Sequence, residues 1–139
     1  MNVESIMTRR IVTVEMDDTL ETIRNIFDHV KFHHILVVGN CGLVGVISDR
    51  DLLKALSPFV DKLGELPRDL AIFKKKAHQV MSREPVTVDK KTPIEVAADL
   101  LLSKNVSCLP VTSPEGDVEG ILTWKDIFKA LLSTSNVQG

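Results

Sequence analysis

Two stretches of this chain put a hydroxyl three residues ahead of an aspartate: Ser48-Asp49-Arg50-Asp51 and Thr123-Trp124-Lys125-Asp126. Each follows an apolar run and precedes a stretch with helical apolar spacing, so hydroxyl and carboxylate both fall in the first turn of a helix. Exposed N–H groups and the helix dipole favour an anion there. An ionised carboxylate offers two acceptors whose width matches two adjacent sugar hydroxyls, and the Ser48 or Thr123 hydroxyl can reach a ribose or an α-phosphate. Arg50 and Lys125 stand beside the aspartates, where they could neutralise phosphate charge. The same spacing also reads as ordinary capping, with the carboxylate turned back onto the helix end. One residue can serve both roles, as a cap when empty and as an acceptor when filled.

The elements that must position these groups occur twice. Ile6-Met7-Thr8 returns as Val80-Met81-Ser82, an offset of 74 residues, and Val12-Thr13-Val14 returns as Val86-Thr87-Val88 at the same offset. Ile35-Leu36-Val37 matches Leu109-Pro110-Val111. The offset then steps to 75, pairing Gly45-Val46-Ile47-Ser48 with Gly120-Ile121-Leu122-Thr123 and Asp51 with Asp126. The extra residue falls in a turn, where an insertion costs least. Matching that runs through both halves marks an internal duplication.

Each half predicts β-α-β-β-α. A short strand, Val12 to Val14 or Val86 to Val88, leads to a helix that starts in a capping box. These boxes are Asp18 with Glu21, and Thr92 with Glu95 and Pro93 at the first helical position. Leu20, Ile23, Ile26, Phe27 and Val30 form the apolar stripe of the first of these helices. Two strands follow, Ile35 to Val38 and Leu43 to Ile47, or Leu109 to Thr112 and Val118 to Leu122, joined by glycine-containing turns. A last helix runs from near Ser48 to about Leu56, or from near Thr123 to about Leu132. The expected fold is α+β, two such repeats packed through their sheets as a pseudo-twofold pair, with a ligand cleft between the halves. The domain boundaries read as repeat 1 at 1–57, a connector at 58–76, repeat 2 at 77–135 and a tail at 136–139. The connector region from Ser57 to Lys76 reads as a packed linker ending in a solvated lysine run, or as a partner contact.

Bulk properties narrow the function. A net charge of −2 and an isoelectric point near 6.1 leave no basic field for a nucleic-acid backbone. The apolar runs are too short to cross a bilayer, and the amino-terminal residues lack the pattern of a signal peptide, which points to the cytoplasm. Two cysteines, Cys41 and Cys108, suggest neither a disulfide scaffold nor a zinc site. Either could be a redox thiol or a plain one. His29 stands four residues before His33, but no third ligand of suitable spacing follows, so no metal is expected. No serine or cysteine nucleophile is legible beside a histidine, and the chain does not read as an enzyme.

The ordered set Val-Met-Ser-x-x-Pro-Val-Thr-Val at 80–88, Leu-Pro-Val at 109–111 and Gly-Ile-Leu-Thr-x-x-Asp at 120–126, with Gly-Val-Ile-Ser-x-x-Asp at 45–51, resembles the CBS (cystathionine β-synthase) domain family in its tandem form. The resemblance covers almost the whole chain. It implies a pair that dimerises and binds adenosine compounds (AMP, ADP, ATP, or at times NAD-type nucleotides or S-adenosylmethionine), reporting ligand or energy levels to an effector. Because the chain is nearly all module, that effector would be a separate protein. The resemblance also implies that His33 and His34, opposite Ser107 and Cys108 in the second repeat, face phosphates or base. Read alone, the histidines are equally a half-exposed pair at a strand start. An adenine needs an apolar slot, for which Val12, Val86, Val46 and Ile121 are candidates, though all four also read as core. The Thr8 and Ser82 loops are expected to close over the base from the opposite repeat. Two positions depart between the copies: Leu36 against Pro110, and Ile11 against Pro85.

The leading expectation is therefore a homodimeric adenine-nucleotide sensor, with Ser48, Asp51, Thr123 and Asp126 as ligand contacts. The alternative is a ligand-free scaffold whose surface, with the connector as its contact, binds a partner protein.

Overall fold

Glycine turns, apolar runs and hydroxyl-led helix starts divide the two halves in the same order. In the computed structural model, residues 1–56 and 71–138 are described, with side chains in the last helix up to Ser133. The elements are α1 (Val3–Ile6), β1 (Thr13–Glu15), α2 (Leu20–His29), β2 (His34–Gly39), β3 (Gly42–Ser48) and α3 (Asp49–Leu56). A 3-10 turn follows at Ala71–Lys74. Then come α4 (Ala77–Val80), β4 (Ser82–Arg83), α5 (Ile94–Ser103), β5 (Cys108–Thr112), β6 (Val118–Thr123) and α6 (Trp124–Gln138). Most of the connector, residues 57–70, lies outside the described residues. The chain forms two compact units: Val12–Glu84, and Met1–Ile11 together with Pro85–Gly139.

In the unit Val12–Glu84, a four-stranded sheet has the order β1-β2-β3-β4. β1 is parallel to β2, with Val14 opposite Val37, and β3 is antiparallel to both β2 and β4. The β2–β3 turn ends on Gly42, whose φ of 107° is one that a side chain would strain. Ile35, Val37 and Ile47 point to one face and are fully buried with Leu20 and Ile23 of α2 and Phe73 of the 3-10 turn. Burying each such side chain stabilises the fold by roughly 1.5–3 kcal/mol. The start of α2 differs from expectation. Thr19 is the cap, its hydroxyl accepting from Thr22 N at 3.3 Å, while Asp18 accepts from Glu15 N at 2.8 Å. The aspartate thus closes the turn before the helix and is not available to cap it.

The second unit repeats this topology with weaker edges. β5 and β6 pair antiparallel, and the places of the outer strands are taken by single bridges, Val88 with Val111 and Thr8 with Ile121. The strand expected at Val86–Val88 is therefore reduced to one bridge. The physical reason is Pro110. In the first copy Leu36 N donates to Val12 O at 3.0 Å, whereas Pro110 has no N–H to give to Val86 O. α5 begins at Ile94 with Pro93 as an N-cap that makes no side-chain bond, so the Thr92 capping box does not form. α6 extends to Gln138, beyond the expected end near Leu132. The core gathers Ala97, Leu101, Leu109, Val111, Leu122 and Ile127 around Val3 and Met7.

Val3 and Met7 belong to the first repeat, yet they are buried in the second unit. Each hairpin is completed by the opening segment of the other copy. Thr8 and Ile121 exchange two backbone hydrogen bonds of 2.9 Å, and Ser82 stands opposite Val46 in the antiparallel pairing of β4 with β3. Glycine permits both approaches. A Cβ on Gly45 would lie 2.5 Å from Met81 Sδ, and one on Gly120 would lie 2.8 Å from Met7 Sδ and 2.9 Å from Thr8 O.

Candidate functional site

Both hydroxyl–aspartate pairs stand where β3 or β6 turns into a helix. In the first, Ser48 N donates to Asp51 Oδ2 at 2.9 Å and Asp51 N donates to Ser48 Oγ at 3.0 Å. This reciprocal box satisfies two N–H groups that a helix start leaves unpaired. Asp51 remains half-buried, so its carboxylate still meets solvent. Arg50 beside it is exposed.

The second pair is built differently. Thr123 N donates to Asp126 Oδ2 at 3.0 Å, and the Thr123 hydroxyl donates to the same oxygen at 3.3 Å. The Thr8 hydroxyl donates to Asp126 Oδ1 at 3.0 Å. Asp126 is only 9 % exposed and is the buried charged residue of the described chain. Three donors offset the cost of holding a carboxylate away from water. Lys125 is exposed. An open pocket of about 330 Å³ adjoins Asp126, between Met1, Ser5 and Ile6 on one side and Lys129 and Ser133 of α6 on the other. Met1, Ile6 and Ala130 line it together with the polar residues Ser5, Asp126, Lys129 and Ser133.

The remaining candidates fall into two groups. His33 is exposed and its Nδ1 lies 2.8 Å from Asp49 Oδ2, while Asp49 N donates to His33 O at 2.9 Å. His34 is half-buried, and burial pushes its pKa below the ordinary 6.5; Asp49 pulls it up, His33 pushes it down and Asp51 pulls it up. Their counterparts differ in kind, since Ser107 is exposed and Cys108 is buried. Val12 and Val86 are partly buried against their unit's core cluster. Val46 and Ile121 are buried at 8 % exposure but alternate to the sheet face opposite those clusters. Ser82 is exposed, unlike Thr8, whose hydroxyl the structure brings to Asp126.

Asp49 and one face of α6 were not singled out from sequence. Asp49 holds His33, and its only signal was adjacency to the Ser48–Asp51 box. Lys129, Ala130 and Ser133 follow Asp126 at spacings of three, four and seven, which a helical face drawn from Asp126 would have found. Among the described residues, no cluster of three or more His, Cys, Asp or Glu could hold a metal ion. Among them, too, no helix is long and apolar enough to cross a membrane.

A duplicated α+β unit with a hydroxyl–aspartate pair at the start of each closing helix defines a tandem-repeat fold. The CBS domain family model matches residues 3–58 and 77–133, and the chain belongs to that family with two copies of its unit. A CBS domain-containing protein of Dictyostelium discoideum is 33% identical over 132 residues, covering 94% of this chain and 90% of the relative. Among solved structures, CBSX2 in complex with AMP is 28% identical with a TM-score of 0.78, covering 96% of this chain and 98% of the other. A CBS domain-containing protein of Thermotoga maritima is 29% identical with a TM-score of 0.74, covering 96% and 95%.

Proposed function

We propose that this chain is a non-catalytic regulatory module that binds an adenosine-type nucleotide through Asp51 and Asp126 and signals to a separate effector protein. The observation that carries the reading is the repeated placement of a hydroxyl and a carboxylate on one helix start. The ribose diol meets the carboxylate, and the phosphates meet the helix N-terminus with Arg50 or Lys125 nearby. The 28% identical relative that holds AMP supports the adenosine class. Thr8, Ser82, His33, His34, Ser107 and Cys108 are proposed as neighbours of the phosphates or base, and Val12, Val86, Val46 and Ile121 as the apolar slot. The module works in the cytoplasm as a homodimer, for which exposed Leu53 on α3 and Phe128, Leu131 and Leu132 on α6 offer apolar surface.

The test is a thermal-shift screen against AMP, ADP, ATP, NAD, S-adenosylmethionine and adenosine. A ligand at a hundred times its Kd adds about 2.7 kcal/mol, a shift of several degrees. Asp51→Ala and Asp126→Ala are each expected to weaken their own site by about ten- to a hundredfold, since a charge-assisted bond contributes roughly 1.5–3 kcal/mol. Wild-type affinity in both variants would refute the assignment of the aspartates.

The competing reading, a ligand-free scaffold, draws on a specific observation: one oxygen of each carboxylate already caps its helix. Under it, no nucleotide shifts the melting temperature, and a partner binds with or without one.

A further inference from the structure

We infer that the two aspartates are not equivalent acceptors: Asp51 is open to its ligand, while Asp126 is latched by Thr8, so the sites fill in order with Asp51 first. The inference rests on the nucleotide reading above and adds the rank of the sites and the residue that sets it.

The two carboxylates, equivalent by the repeat, differ in the number of donors they hold. A carboxylate has about four lone-pair sites, and a vicinal diol needs two of them. Among the described residues, Asp51 receives one donor, Ser48 N, on Oδ2. Asp126 receives three: Thr123 N and the Thr123 hydroxyl on Oδ2, and the Thr8 hydroxyl on Oδ1. The oxygen that the helix start leaves for a ligand is therefore the one Thr8 takes. The backbone of Thr8 is held there by its paired bonds to Ile121, so the hydroxyl is delivered by a fixed segment. In the first copy Ser82 stands opposite Val46 at the corresponding place, but Ser82 is exposed and places no hydroxyl on Asp51. A ligand at Asp126 must displace a neutral hydroxyl from a buried carboxylate, whereas at Asp51 it displaces water. Thr8 is thus a positioning residue that weakens the second site.

The experiment is calorimetric titration of the full chain with AMP, paired with thermal unfolding of the ligand-free protein. The wild type should show one AMP per chain, then a second event weaker by about tenfold or more. Asp51→Asn should remove the tighter event. Thr8→Val should strengthen the weaker event by about tenfold while lowering the ligand-free melting temperature, and Thr8→Ser should restore both. Two equal events in the wild type, or loss of the tighter event in Asp126→Asn, would overturn the ranking while leaving nucleotide binding intact. A fall in melting temperature for Thr8→Val with no gain in AMP affinity would also overturn it, reducing Thr8 to a structural tie. No AMP binding by any variant would overturn the nucleotide reading, and the ranking with it.

Discussion

Gly45 and Gly120 lack side chains because Met81 and Met7 fill the space where a Cβ would stand, with the carbonyl oxygens of Ser82 and Thr8 close behind. A methionine can bend, but a backbone carbonyl paired across a strand cannot move without losing its partner. Gly45→Ala and Gly120→Ala are each expected to cost about 1–3 kcal/mol, read as a lower urea midpoint. An unchanged midpoint would mean that the methionine alone gives way. His34 carries a second consequence at this scale. Its folded pKa lies below the unfolded value near 6.5, so between the two the unfolded chain binds more protons. Its contribution is complete above pH 6.5, declines as the pH falls toward the folded pKa, and levels off below it. His34→Gln should flatten that part of the stability profile between pH 7.5 and 5. The same slope in the variant would assign the titration to another group. The sequence made the Ser48–Asp51 and Thr123–Asp126 pairs legible because each is local. The bond from Thr8 to Asp126 spans almost the whole chain, and no local pattern encodes it.

The elements follow the same division. The hairpins β2–β3 and β5–β6 were readable, since continuous apolar runs with a glycine turn between them admit few other structures. Helix starts were less so. Asp18 and Thr92 both satisfy the capping pattern, yet Asp18 serves the preceding turn and Thr92 gives way to Pro93. The opening segments were the least legible. A repeat alignment says which residues correspond, but not which copy a segment packs against. Val3 and Met7 make the case: they are core residues of the unit that holds β5 and β6. Deleting residues 1–10 is therefore expected to unprotect amides of β5, β6 and α6 in hydrogen exchange, while β2 and β3 keep their protection. Loss confined to β2 and β3 would contradict the observed assignment of the segment.

At the scale of the molecule, the closing helices leave Leu53, Phe128, Leu131 and Leu132 about 57–65 % exposed. Leu53 and Phe128 occupy the same position of the repeat, so the duplicated unit presents apolar surface at one place in both copies. Phe128→Glu with Leu132→Glu should convert the proposed homodimer to monomer in sedimentation velocity, and a dimer that persists would move the interface elsewhere. The exchanged opening segments also govern the order in which the chain can fold during synthesis. The unit Val12–Glu84 is continuous and can close once residue 84 has left the ribosome. The eleven residues before it cannot settle until β6 has been made, more than a hundred positions later. Those residues emerge ahead of the unit Val12–Glu84 yet settle after it, and in the interval Val3 and Met7 stand as uncovered apolar side chains. A chaperone that reads short exposed hydrophobic stretches would meet its target in those residues, and only while the second unit is unfinished.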